Sequence, residues 1–204
     1  MQSAKNHWNK IFSKKTDHEF GWYENDISQT TKFFKNMELS SRSNVFLPGA
    51  GTSYLVDELL KTGCHLILND ISDRALNNLS DRIGSGNFDF LHHDMSLKLP
   101  QKYEADIWID RATLHFILKE EDILQYFKNL RKTINSDGYV LLAEFSKLAV
   151  TRCAGLETRQ YSVSEMQFRL GEKFKLISSE EYVFINSLGE EKPYIYALFQ
   201  KKID

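Results

Sequence analysis

Val45-Phe46-Leu47-Pro48-Gly49-Ala50-Gly51-Thr52-Ser53 reads VFLPGAGTS. An apolar run meets a proline and then two glycines one residue apart. Chains do this where a buried strand turns sharply and something must come close to its backbone. The next stretch, Thr52 to Thr62, has Leu55, Val56, Leu59 and Leu60 at helical spacing, and Gly63 ends it. Strand, glycine turn and helix form the start of a βα unit.

The pattern repeats downstream. Cys64 to Leu68 is a second strand that stops at Asn69-Asp70, and Asp73 to Ile83 is helical through Ala75, Leu76 and Leu79. Phe88 to Leu91 is a third strand, ending in His92-His93-Asp94. Asp106 to Ile109 is a fourth. Glu120 to Ile134 is an amphipathic helix, Asp137-Gly138 a turn, and Tyr139 to Phe145 a strongly apolar fifth strand. Strands apolar on both faces, alternating with helices, predict a parallel sheet covered on each side. Thr151 to Tyr161 is polar and irregular, and Ser162 or Ser164 caps a short helix. Lys175 to Ile185 and Tyr194 to Gln200, joined through Ser187-Leu188-Gly189, predict a hairpin. Upstream, Ser3 to Ser13 is helical with Trp8, Ile11 and Phe12 on one side, and Asp26 or Ser28 caps a second helix. The expected fold is α/β: a Rossmann-like, seven-stranded, mostly parallel sheet with helices on both faces and a C-terminal antiparallel β-hairpin.

The bulk properties exclude several classes. Basic and acidic residues number 26 and 28, a net charge of −2, which is no footprint for nucleic acid. Cys64 and Cys153 have neither metal-site nor CxxC spacing and cannot build a disulfide framework, so a cytoplasmic setting is expected. The opening residues MQSAKNHWNKIFSKK lack the apolar core of a signal peptide, and no apolar run is long enough to span a bilayer. No membrane partner is expected, and nothing in the sequence speaks to oligomeric state.

A doubly wound sheet binds ligands at the carboxyl ends of its strands. Gly49, Gly51, Asp70, Asp94 and Asp110 all fall there. One aspartate at a strand end reads as a turn or cap. A polar residue closing each of four strands, after a glycine turn, is a pattern. A nicotinamide dinucleotide needs G-x-G-x-x-G, and the third glycine here is Tyr54. No G-x-x-x-x-G-K-[ST] run follows the first strand. A pyrophosphate cradle is disfavoured, and a cofactor with an adenosine but no phosphate fits better.

VFLPGAGTS, LILNDIS with Asp70, FLHHDM with Asp94, DIWIDRATLHFI with Asp110, and SDGYVLLAEF together resemble the successive motifs of class I S-adenosylmethionine-dependent methyltransferases. The resemblance covers roughly residues 43 to 202. The Pro-Gly-x-Gly form and the aromatic N-terminal region are similar to the thiopurine-methyltransferase-like branch and its bacterial relatives. It implies one domain, with residues 1–40 a helical lid and 41–204 the methyltransferase body. It implies S-adenosylmethionine as cofactor, no metal, and a small-molecule methyl acceptor. Gly49, Ala50 and Gly51 would line the methionine and ribose part. Asp70 would accept from the ribose hydroxyls, Ile71 pack on the adenine face, and Asp94 with Met95 read the adenine edge. Asp110 and Arg111 would lie beside the transferable methyl, and Trp22 would face the sulfonium. Leu47 stands where many members carry an acid that binds the cofactor's amino group, so backbone carbonyls near Gly49 and Asp110 must serve.

Other residues carry two readings each. His92 and His93 are neighbours in a strand and point to opposite faces, which argues against a shared metal ion. His115 is either a packing histidine or a group that orients or deprotonates the acceptor. Tyr23, beside Trp22, is placed in the acceptor pocket. Arg152, with Arg159 and Tyr161, belongs either to a solvated loop or to an acceptor pocket suited to a carboxylate. Asp110 and His115 are the catalytic candidates, and Tyr23, His115 and Arg152 the substrate candidates. The chemistry would be in-line displacement by an acceptor N, O or S, needing little beyond positioning. A protein side chain such as lysine is the alternative acceptor, and a non-catalytic cofactor-binding protein the alternative class.

Overall fold

The computed structural model describes residues 2–14, 16–24, 26–186 and 188–203. Ser187, placed in the hairpin joint, lies outside the described residues, as do Met1, Lys15, Asn25 and Asp204. The strands are β1 (Asn44–Leu47), β2 (His65–Asp70), β3 (Phe88–His92), β4 (Ala105–Arg111), β5 (Ile134–Phe145), β6 (Arg152–Cys153), β7 (Leu156–Glu157), β8 (Phe174–Ile185) and β9 (Glu191–Lys201). The helices are α1 (Gln2–Lys14), α2 (Ser28–Thr31), α3 (Leu55–Lys61), α4 (Asp73–Ile83), α5 (Glu120–Thr133) and α6 (Val163–Leu170). Seven strands form one sheet in the order β3-β2-β1-β4-β5-β9-β8. The first five are parallel, and β9 and β8 run antiparallel at one edge. The predicted fold is the observed one.

Alternation along each strand sorts the core into two layers. Val45, Leu47, Ile107, Ile109, Leu141 and Ala143 face α3, whose Leu55, Val56 and Leu59 cover them. Phe46, Trp108, Val140 and Leu142 face α5 and α6, covered by Ile123, Phe127, Leu130 and Met166. Phe46 stacks on Trp108 with centroids 4.4 Å apart. Strand order reverses about β1, between β2 and β4, so a crevice opens at the tips of these three strands.

Three departures from the sequence reading each have a local reason. α3 begins at Leu55 instead of Thr52, because Gly49 and Gly51 take φ of 57° and 53° and the Ser53 hydroxyl then accepts the Leu55 N–H at 3.2 Å. β5 begins at Ile134, and Asp137-Gly138 is an irregularity within it: Asp137 is left-handed, and a Cβ on Gly138 would sit 2.8 Å from the Asp106 carbonyl. The irregular stretch after β5 contains the two-residue hairpin β6–β7. Of the alternative caps, Ser162 holds the α6 N-terminus by accepting the Glu165 N–H, whereas α2 starts after Ile27 with neither Asp26 nor Ser28 as its cap, Asp26 only accepting the Ser28 N–H.

Candidate active site

The two glycines end β1 in left-handed conformations, which a side chain adopts at a cost. What comes close to Gly49 is the protein itself. A Cβ there would lie 2.1 Å from Thr113 Oγ1, whose hydroxyl donates to the Pro48 carbonyl at 3.2 Å. At Gly51 the neighbour is the Phe12 ring, 3.4 Å from where a Cβ would be. The Ala50 N–H donates to the Asn69 carbonyl at 2.7 Å, and the Gly51 N–H to Asp70 Oδ2 at 2.9 Å. The turn is therefore stitched to the tips of β2 and β4 and borders a cavity of about 690 Å³.

Asp70 is buried and forms part of the cavity wall. Its Oδ1 accepts the Ser72 N–H at 2.8 Å. Burial raises its pKa to about 6, against the pull of those two N–H donors and of His92. It is an anion at neutral pH. Asn69 donates to the carbonyls of Leu91 and His93, both at 2.9 Å, and so ties the β2 tip to the β3 tip. Beyond it, Asp94 and Met95 line the cavity, with Asp94 Oδ1 accepting the Ser96 N–H. His92 contacts the Ile71 carbonyl at 2.9 Å while His93 lines the cavity, so the two do not converge on one point. Among the described residues no group of three metal-ligating side chains occurs.

The roof is aromatic. Trp8 and Phe12 of α1 meet Phe20 and Trp22, with Phe20 stacked on Trp22 at 4.8 Å and Trp8 edge-on to Phe116 at 4.9 Å. Polar ties hold α1 down on two sides. Ser72 donates to Asn9 Oδ1 at 2.6 Å, Asn78 donates to the Phe12 carbonyl at 2.9 Å, and His7 Nε2 lies 3.0 Å from the Ala154 carbonyl. Trp22 and Tyr23 both border the cavity.

The tip of β4 departs from the expectation. Alternation sends Asp110 to the Trp108 face, beneath α5, and Arg111 to the opposite one. Asp110 is fully buried and does not line the cavity: its oxygens accept the Thr113 N–H at 3.0 Å and the Tyr126 hydroxyl. Its assignment as a cofactor-contacting or catalytic group is corrected accordingly. Arg111 borders the cavity, but its guanidinium is committed elsewhere. It pairs with Glu24 at 3.0 Å, donates to the Trp22 carbonyl at 2.9 Å, and packs on Tyr194 and Phe184 at 4.8 and 5.0 Å. Burial works to lower the Arg111 pKa, and Glu24, Tyr194 and Tyr196 together outweigh it, so Arg111 stays charged. Arg152 is also corrected: it is exposed, donates to the Gly155 carbonyl and lies outside the cavity wall. Arg159 pairs with Glu165 at 2.7 Å.

His115 lies in the wall, buried and stacked on Phe145 at 4.3 Å. Its Nδ1 is 2.8 Å from Glu144 Oε2. Burial lowers its pKa to about 3, so the ring is neutral. Sequence reasoning missed four participants. Phe12 and Thr113, which press on the glycines, left no local signal. Glu24 and Glu144 did: each is an acid among apolar or aromatic neighbours, in GWYE and VLLAEF.

Residues 47–142 match the model of a family described as a methyltransferase domain. No curated protein matches the chain. Among solved structures, the chain is similar to a SAM-dependent methyltransferase from Anabaena variabilis, with TM-score 0.79 and 14% identity over 98% of this chain and 94% of that one. It is similar to the N-methyltransferase NodS from Bradyrhizobium japonicum in complex with S-adenosyl-L-homocysteine, with TM-score 0.70 and 12% identity over 96% and 98%. It is also similar to the Burkholderia thailandensis 1,6-didemethyltoxoflavin-N1-methyltransferase with bound 1,6-didemethyltoxoflavin and S-adenosylhomocysteine, with TM-score 0.70 and 15% identity over 98% and 85%.

Proposed function

The chain carries a methyltransferase domain, and from that premise we propose that it transfers a methyl group from S-adenosylmethionine to an N, O or S atom of a small molecule. The observation that carries this reading is the wall around Asp70: a buried anionic carboxylate at the end of β2, beside a left-handed glycine turn, under an aromatic roof. The Asp70 carboxylate, an acceptor on both oxygens, suits two vicinal ribose hydroxyls. Ile71 supplies an apolar face for adenine, and Asp94 with the Met95 backbone an acceptor and donor for its edge. Gly49, Ala50 and Gly51 border the remaining, methionine-holding part. The Trp22 ring gives a cation an electron-rich neighbour. When bound, the cofactor supplies a methyl group already activated on a sulfonium. The residues then have to orient the acceptor, exclude water and take up a proton.

The cavity supports a small acceptor because α1 roofs it. Placement in the thiopurine-methyltransferase-like branch rests on the first motif and the aromatic N-terminal region alone. The test is calorimetry with S-adenosylhomocysteine. The wild type should bind it, and Asp70→Ala should weaken binding by about 1–3 kcal/mol, the scale for stranding a hydrogen-bonding partner. If NADH binds and S-adenosylhomocysteine does not, the reading is wrong.

A further inference from the structure

The segment that leaves β3 joins the cavity wall through His93, Asp94, Met95 and Ser96. β3 is an edge of the sheet, and its neighbour β2 ends at Asp70, whose carboxylate takes the Ser72 N–H. A carbonyl shut from water needs a donor, and beyond Asp70 there is no strand to give one. Two buried asparagines supply donors instead. Asn69, at the tip of β2, donates from Nδ2 to the Leu91 and His93 carbonyls, both at 2.9 Å. Asn129, on α5, donates from Nδ2 to the Met95 carbonyl at 3.1 Å and to the Leu97 carbonyl at 2.7 Å. Four alternate carbonyls of one segment are thus held by two side-chain amides, on residues 1% and 3% exposed.

Neither amide can turn over. Rotating Asn69 would set its oxygen against two carbonyl oxygens. Asn129 is fixed further, since its Oδ1 accepts Gln125 Nε2 at 2.7 Å and the Leu99 N–H at 3.4 Å. Within the held segment, Asp94 Oδ1 accepts the Ser96 N–H and the Asp94 carbonyl the Leu97 N–H, both at 2.9 Å. The His93 N–H goes to the Asp70 carbonyl at 3.1 Å. Among the described residues, the N–H groups of Asp94 and Met95 and the Asp94 Oδ2 have no hydrogen-bond partner. Donors and an acceptor on successive residues of the wall therefore remain to meet a ligand.

We propose that Asn69 and Asn129 are positioning residues that make the cavity selective for adenine: they fix the Met95 N–H relative to Asp94 Oδ2, and with it the base edge that the wall accepts. This inference rests on the S-adenosylmethionine reading of the cavity. Adenine presents an amino donor beside a ring-nitrogen acceptor. The carboxylate oxygen suits the first and the N–H the second. Hypoxanthine reverses both, with a carbonyl oxygen beside a ring N–H. A mobile segment would turn to suit either base. Clamps on alternate carbonyls remove that freedom, and the ordering cost of the segment is met before the cofactor arrives. In this role each asparagine acts through the segment that it holds.

The experiment is calorimetry on the full chain with S-adenosylhomocysteine and with S-inosylhomocysteine, its hypoxanthine counterpart. The wild type should prefer the adenine compound by at least about tenfold, the scale of a two-bond base contact. In Asn69→Ala and in Asn129→Ala that preference should shrink by at least about threefold, because the segment no longer holds one edge pattern. A purely structural role would weaken both compounds alike. An unchanged preference in the variants, or a wild type that binds both compounds equally, would overturn the proposal. Either variant decides if the other does not fold. NMR on the unliganded wild type adds a reading that needs no variant. The side-chain amide hydrogens of Asn69 and Asn129 should exchange at least about tenfold more slowly than those of the exposed Asn77. Exchange as fast as at Asn77 would mean that the clamps are open, which also overturns the proposal. A wild type that binds neither compound would instead overturn the S-adenosylmethionine reading on which the selectivity rests.

Discussion

Glu24→Gln removes one charge from the buried pair that joins the N-terminal segment to β4. Glu24 and Arg111 are 3.0 Å apart, and their side chains are 7% and 10% exposed. At that separation, with an effective dielectric of about 20, the gross attraction is about 5 kcal/mol. The amide of glutamine keeps an oxygen for the guanidinium, and the Trp22 carbonyl and the rings of Tyr194 and Phe184 remain. The charge on Arg111 stays, with no countercharge in the same compartment. Removing one partner of a buried pair costs about 3–5 kcal/mol, and the surviving contacts place this case near about 3 kcal/mol. Urea unfolding should therefore show a midpoint lower by about 1.5 M, given a slope of about 2 kcal/mol/M. Replacing Arg111 as well, as Glu24→Gln/Arg111→Met, should recover most of the loss, because no uncompensated charge is left. A single variant that loses less than about 1 kcal/mol, or a double variant no more stable than the single, would refute this account of the pair.

Gly49→Ala should lower stability by more than the roughly 1–2 kcal/mol of a left-handed alanine, since its Cβ meets Thr113 Oγ1 at 2.1 Å. Adding Thr113→Ala should return part of the loss in the same unfolding assay, and no return would mean that Thr113 is not the obstacle. The pH dependence of stability carries opposing slopes. His115 ionises at 6.5 when unfolded and is held to about 3 in the fold, so its contribution is complete above pH 6.5 and is lost as pH falls toward 3. Glu144 ionises at 4.5 when unfolded and at about 8 in the fold, so its contribution is complete below pH 4.5 and is lost as pH rises through 8. Between pH 6.5 and 8 the second slope alone operates within this pair, and stability should fall by about 2 kcal/mol, read as a drop in Tm. The same drop in Glu144→Gln would assign it to other groups.

Much of this was legible in the sequence because it depends on short-range patterns. Period-two and period-3.6 apolar spacing located five parallel strands and their helices, and the glycine turn with Asp70 and Asp94 at the strand ends located the cavity. The misplaced residues show where such patterns stop. Asp110 and Arg111 are neighbours in a strand, so they cannot both face one ligand, and the argument used to separate His92 from His93 applied to them equally. Arg111 also carries a charge that looked available, and only the fold brings Glu24 across to cancel it. Phe12 and Thr113 come from distant segments, and their pressure on the glycines is set by how α1 and the β4 loop dock.

The tie between α1 and α4 links floor and roof of the cavity. Ser72 gives its N–H to Asp70, takes the Ala75 N–H on its hydroxyl, and donates that hydroxyl to Asn9 of α1. One residue thus serves as helix cap, as brace for the carboxylate and as tie to α1. Loss of the Ser72 hydroxyl would therefore release the α4 cap and the tie to α1 in a single substitution.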